Sequence, residues 1–386
     1  MRNKKSNSSK LLVACNWDYE LIEGLSQYAS EIKYIFGKTK TDIFSGGRAA
    51  KEVVELKERQ EAENYIRTAK NHNIDFNYLL NGTELINEFS KETTNNIYEN
   101  LDWLERIGVN WVTLSNPRIA KIIKEHYPKL KVNVSIFAHV RSIRQIEFWE
   151  KLGAKSINLD REFVRNTKQL EVLTKNSNID LILLANDPCL MNCPYELYHD
   201  NLMSRNSITG EEYYHYCSFT CMLEYISNPV EIIKSSFIRP EDIHYYEKIG
   251  IRNFKIVDRN RTTKFILNAV KAYVDRKYEG NLIDLMSIFS AYDREKTKSF
   301  NFQRLNEKTI DVFWKSLPGF IDIKLNDNIL NNFIERTKNI ECGTIDCETC
   351  KICNEFENKV TFGNNNIEEA KKNISEVINY INLNNK

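Results

Sequence analysis

Nine cysteines in 386 residues fall into two groups of four, with Cys15 left over. Cys189, Cys193, Cys217 and Cys221 read C-x3-C, a gap of twenty-three residues, then C-x3-C again. Two close pairs joined by one loop can converge on a single centre, each pair supplying ligands from one turn. Four thiolates satisfy a tetrahedral zinc ion or the four irons of a cubane. Zinc ribbons prefer C-x2-C knuckles, so the three-residue gap favours iron–sulfur. Buried thiols without a metal are the bland alternative.

The second group, Cys342, Cys347, Cys350 and Cys353, reads C-x4-C-x2-C-x2-C within "ECGTIDCETCKIC". So tight a run wraps its own turn around a metal, either a second [4Fe-4S] cluster or a structural zinc. Local ligands close a site with little loop entropy, so this set is expected to fold around its metal independently of the rest. Two clusters would let electrons pass from the outer set to the inner. The radical-SAM spacing, C-x3-C-x2-C near a first strand, is absent.

Three further side chains could act on a substrate. His139 follows a strand-like run and is a general acid–base candidate, its unperturbed pKa lying near 6.5. Lys255 and Arg259 could hold a carboxylate or phosphate, the arginine through a bidentate fork; an internal salt bridge from Lys255 to Asp160 or Glu162 is the structural alternative. His199 and His215 flank the first cysteine set and could ligate or hydrogen-bond a cluster. Cys15 reads as a small core residue.

Positioning these groups falls to a strand–helix rhythm. Apolar runs at 11–15, 32–36, 75–80, 110–114, 132–137, 155–159, 180–185 and 253–257 alternate with amphipathic stretches such as 87–107 and 141–152. Helix-ending "IGV", "LGA" and "IGI" lead directly into the next strand. Eight such units predict an α/β fold, a (β/α)8 TIM-type barrel, over residues 10–277. A polar tail spans 1–9, and a mainly helical, cysteine-rich extension packed on the barrel spans 278–386. The residues just past the strands, among them Asn16, Asn81, Asn116, His139, Asp160 and Asn186, would ring one face, where barrels build their sites. Helix capping explains such residues equally well.

Composition narrows the function. Lys plus Arg is 54 against 53 Asp plus Glu, so the net charge of +1 gives no general attraction to nucleic acid or membrane. No apolar run approaches a membrane span, and unpaired cysteines suit a reducing compartment, so a cytoplasmic protein is expected. No GxGxxG follows a strand, and neither GxSxG nor HExxH occurs.

Three stretches, "INLDREF", "NDPCLMNCPYELYH" and "SSFIRPEDIHYYEKIGIRNFKIVDR", resemble peptidase family U32, the collagenase-like peptidases. The similarity spans roughly residues 10–275. Arg161 and Glu162 match the family's Arg-Glu pair, and Lys255 and Arg259 match its Lys-Ile-x-Gly-Arg, while Asp258 replaces the glycine. The resemblance implies a barrel and, in some branches, a four-cysteine [4Fe-4S] cluster serving oxygen-independent hydroxylation of a quinone precursor or of tRNA uridine. The repeated C-x3-C departs from the commoner spacing, so the substrate does not carry over. The expectation is an iron–sulfur oxidoreductase, a hydroxylase, acting on a small molecule or modified RNA with a partner protein or electron donor. A peptidase and a non-catalytic, cluster-holding accessory protein are the alternatives.

Overall fold

The computed structural model describes residues 9–39, 43–46, 58–85, 87–209, 216–286, 323–326, 330, 332–363 and 367–383. The tail before Ser9, His215 and residues 287–322 lie outside the described residues. Eight parallel strands close into a barrel in sequence order. They are β1 Lys10–Ala14, β2 Ile32–Gly37, β3 Phe76–Leu80, β4 Trp111–Leu114, β5 Lys131–Val134, β6 Ser156–Asn158, β7 Asp180–Leu184 and β8 Asn253–Ile256. Each coincides with an expected run. β5 stops short of it because Ser135 turns the chain into a 3-10 turn, Ile136–Ala138, its hydroxyl accepting from Phe137 N.

Strand alternation sorts the side chains. Leu11, Val13 and Cys15 face the helices, whereas Leu12 and Ala14 join Tyr34, Phe36, Leu79, Trp111 and Ile182 inside the barrel. One interior layer is polar. Ser156 Oγ donates to Asn133 Oδ1 (2.7 Å), Asn133 Nδ2 to Thr113 Oγ1 (3.0 Å), and Thr113 Oγ1 to Asn77 Oδ1 (2.8 Å), a continuous chain across β6 to β3. Each of the three bonds pairs a buried donor with a buried acceptor, which is what makes such groups tolerable, while Asn77 Nδ2 at the end of the chain has no hydrogen-bond partner.

The crossovers form helices for local reasons. Over Lys91–Arg106, Ser90 caps the start by accepting from Thr93 N. Ile97, Leu101 and Leu104 turn one stripe inward, each such burial contributing about 1.5–3 kcal/mol. Gly108, at φ 74, ends the helix in the left-handed region that penalises any Cβ. The polar residues past the strands divide between roles: Asn116 caps Pro117–His126 by accepting from Arg118 N, the capping alternative realised.

The excursion between β7 and β8 carries the helices Glu196–Thr209, Tyr216–Ser227, Val230–Lys234 and Ile243–Ile249. The C-terminal extension is fastened to the barrel. A two-stranded antiparallel ribbon joins Ile323–Lys324 to Thr361–Phe362, and Asn281 bonds to Ile323 O and Leu325 N. The final helix, Ile367–Leu383, packs along Tyr216–Ser227. No helix among the described residues is long and apolar enough to cross a membrane.

Candidate metal centre at the barrel mouth

The first cysteine set leaves the C-terminal end of β7. Cys189 N donates to Ser236 Oγ (3.2 Å), Ser236 N donates back to Cys189 O (3.1 Å), and the Tyr225 hydroxyl donates to Pro188 O. Asn192, at φ 53, bends the three-residue spacer; asparagine tolerates that conformation better than most residues. Cys217 and Cys221 sit one turn apart on the helix Tyr216–Ser227, so the second C-x3-C is an i,i+4 pair on one helix face. That explains a spacing foreign to zinc knuckles.

The thiols are within electrostatic reach of one another: Cys189 with Cys221, Cys193 with Cys217, and Cys221 with both Cys193 and Cys217. Burial pushes Cys217 up to about 11 and Cys221 up to about 12. It also pushes Cys189 well above the usual thiol range, with Arg161 pulling the other way. Such thiols hold their protons until a cation displaces them. Four soft donors in one desolvated place suit a thiophilic metal. A tetrahedral zinc would hold its thiolates about 3.8 Å apart, yet no three cysteine sulfurs among the described residues lie within 4.8 Å of one another.

Beside the thiols runs a polar network that motif reading misses. His139, at φ 45, places Nδ1 3.1 Å from Asp160 Oδ2 and Nε2 3.3 Å from Asp200 Oδ2. A hydrogen bond to Asp160, and then the Asp200 carboxylate beside the other nitrogen, raise the imidazole to about 9. The ring therefore holds a proton at neutral pH and can donate one; it is not poised as a base. Burial opposes ionisation of Asp160, but bonds from His139 and Arg141 keep its carboxyl below the usual range. Arg141 Nε lies 2.9 Å from Asp160, and Arg161 holds Asp187 (2.9 Å) and Glu196 (2.5 Å). His139, Asp160 and Glu196 gather closely enough to ligate a cation, but these two guanidiniums already supply the positive charge. Asp200 and Glu196 share one helix face at i,i+4, a signal legible only once the helix Glu196–Thr209 is assigned.

Lys255 points into the barrel, as the alternation of Asn253, Lys255 and Val257 against outward Phe254 and Ile256 requires. Its amine stands 4.4 Å over the Phe36 ring, with no carboxylate in ion-pair distance among the described residues. Asp160 and Glu162 turn to Arg141 instead. Burial, then Arg259, lowers the amine to about 8. Arg259 lies within electrostatic reach of both Lys255 and Cys15. Asn186 belongs to the frame: it donates to Val257 O (2.5 Å) and Leu285 O (2.9 Å) and accepts from Val257 N (2.8 Å). Cys15 is an outward core residue, raised to about 12 by burial.

The second set lines a cavity of about 150 Å³. Asp346 caps the single turn Cys347–Cys350, its side chain accepting from Glu348 N. The wall of the site is not wholly local. Arg165, Glu231 and Lys234 of the barrel and its excursion form part of the wall, and Gly343 N donates to Asn166 Oδ1 (2.9 Å).

A family model, Peptidase family U32, matches residues 45–302. The uncharacterized protease MJ1657 of Methanocaldococcus jannaschii is 28% identical over 319 residues, 78% of this chain and 91% of its own length. The solved structure of the U32 peptidase Mk0906 superposes with a TM-score of 0.50 at 17% identity, covering 67% of this chain and 96% of that one. That likeness concerns the barrel fold.

Proposed function

The chain belongs to peptidase family U32, and from that premise we propose that Cys189, Cys193, Cys217 and Cys221 hold a [4Fe-4S] cluster in an oxygen-independent oxidoreductase, a hydroxylase acting on a small molecule or modified RNA. The observation that carries this reading is the convergence of two cysteine pairs, from separate segments, beside Arg161 at the βα face. A bound cluster supplies one-electron chemistry. The protein's own groups do the rest. Lys255 and Arg259 attract and orient an anionic portion of the substrate. The imidazolium of His139, gripped by Asp160 and Asp200, keeps a proton available at Nε2. Arg161 offsets the negative charge of the thiolates while anchoring the loop through Asp187 and Glu196.

Peptide hydrolysis, which the relative's name suggests, is the competing reading. It needs an activated nucleophile, and the thiol outside both sets, Cys15, faces the helices rather than the mouth. Anaerobic purification with iron, sulfide and zinc analysis tests the proposal, followed by turnover assays on reduced small molecules, RNA and collagen-type peptides. Iron and sulfide lost in Cys193→Ser support it. Stoichiometric zinc without sulfide, or peptide cleavage that survives Cys193→Ser, would overturn it.

A further inference from the structure

We infer that Cys342, Cys347, Cys350 and Cys353 form a second [4Fe-4S] site placed to feed electrons to the first, an inference resting on the cluster reading above. The two sets share a wall. Met191 and Asn192, two of the three residues between Cys189 and Cys193, also line the second cavity. A group held by the C-terminal cysteines would thus be separated from the first set by that spacer.

The cavity suits a cluster more than an ion. Its volume of about 150 Å³, lined by all four cysteines, exceeds what one zinc ion fills.

The barrel also supplies matching charge. Arg165 is buried, its guanidinium sandwiched between Phe237 and Phe333 at 5.3 and 5.2 Å. Two of its N–H groups go to Phe237 O and Ser235 O, while Nε has no hydrogen-bond partner. No carboxylate among the described residues lies within ion-pair distance of it, and Cys342 and Cys353 are within its electrostatic reach. Lys234, shared with Glu231 at 2.7 Å, likewise feels Cys347 and Cys353. A buried cation without a counterion is expensive, and a cluster bearing four thiolates is the anion that this one faces.

Cys347 is exposed at the rim. A low-potential one-electron carrier can approach there and reduce the outer cluster from [4Fe-4S]2+ to [4Fe-4S]+. One electron then passes inward, reoxidising the outer cluster and reducing the inner from [4Fe-4S]2+ to [4Fe-4S]+. No bond or proton moves in that step.

The test uses full-length protein reconstituted anaerobically, with iron, sulfide and zinc analysis and electron paramagnetic resonance after dithionite reduction. Wild type should hold about eight irons, four per cubane, and its reduced signal should show broadening from two coupled spins. Cys347→Ser with Cys350→Ser should leave about four irons and one uncoupled signal, and should slow reduction of the inner cluster by methyl viologen radical at least tenfold. If that pair fails to fold, Lys234→Gln, which keeps every ligand, should make the outer cluster harder to reduce while leaving the inner one unchanged. Zinc in the second set beside iron in the first, two uncoupled signals in wild type, or an unshifted outer cluster in Lys234→Gln overturns the relay and leaves the first-set reading standing. Iron in neither set sinks both.

Discussion

His139 Nδ1 stands 3.1 Å from Asp160 Oδ2, and the opposite nitrogen of the same ring stands 3.3 Å from Asp200. A ring gripped on both sides by carboxylates is an imidazolium clamp that ties the end of β5 to the end of β6 and to the helix Glu196–Thr209. A histidine whose folded pKa is raised stabilises the fold fully below its unfolded value, near 6.5. That contribution is lost as pH rises through the folded value of about 9. Wild type should therefore lose thermal stability between pH 6.5 and 9 more steeply than His139→Gln. Thermal melts of the two proteins across that window check this, and parallel slopes would refute the clamp.

Lys255 carries the opposite sign. Its folded pKa, about 8, lies below the unfolded value near 10.4, so the protonated amine destabilises the fold at neutral pH. That penalty fades as pH climbs from 8 toward 10.4. Lys255→Met should gain up to about 3 kcal/mol at pH 7, a gain that vanishes above pH 10, while losing turnover. Paired urea denaturation curves at the two pH values measure it. A variant less stable than wild type at pH 7 would mean that the amine has a partner that offsets its burial. The expected trade of stability for activity is common where function requires a buried charge.

Asn186 follows β7 but has no amide left for a substrate. Its side chain links β7 to β8 and to Leu285, where the extension begins. Asn186→Ala should lower stability by about 2–3 kcal/mol, the penalty for leaving buried backbone groups unpaired. The KM of the folded fraction should be unchanged. A raised KM with normal stability would return the residue to the substrate pocket.

The contrast between Asn186 and Lys255 shows what the chain reveals before folding. Parallel strands covered on both faces read as apolar runs, so all eight were visible, and period-two alternation already aims Lys255 inward. The C-x3-C and C-x2-C spacings were visible because their ligands are near neighbours. Asn186 looked like a pocket residue because its acceptor at Leu285 lies 99 positions away. Arg165 gave no local sign at all, since the cysteines it faces arrive from the far end of the chain. The pairing of His139 with Asp200 likewise depends on a barrel having closed.

The final helix makes the two cysteine sets interdependent. Ala370, Ile374 and Val377 form its buried stripe, and it packs along the helix that holds Cys217 and Cys221. Removing residues 341–386 would strip that cover, withdrawing burial worth about 1.5–3 kcal/mol for each large side chain. The truncated protein should therefore lose iron from both sets, since marginal stability leaves little to hold the first set's helix once its cover is gone. Cys347→Ser with Cys350→Ser, which leaves the helix in place, should keep about half. Iron analysis and visible absorbance of the two proteins side by side decide the matter. A truncated protein that kept half its iron and the first cluster's absorbance would show that the barrel alone holds Tyr216–Ser227 in position, and would restore the second set as an independent unit.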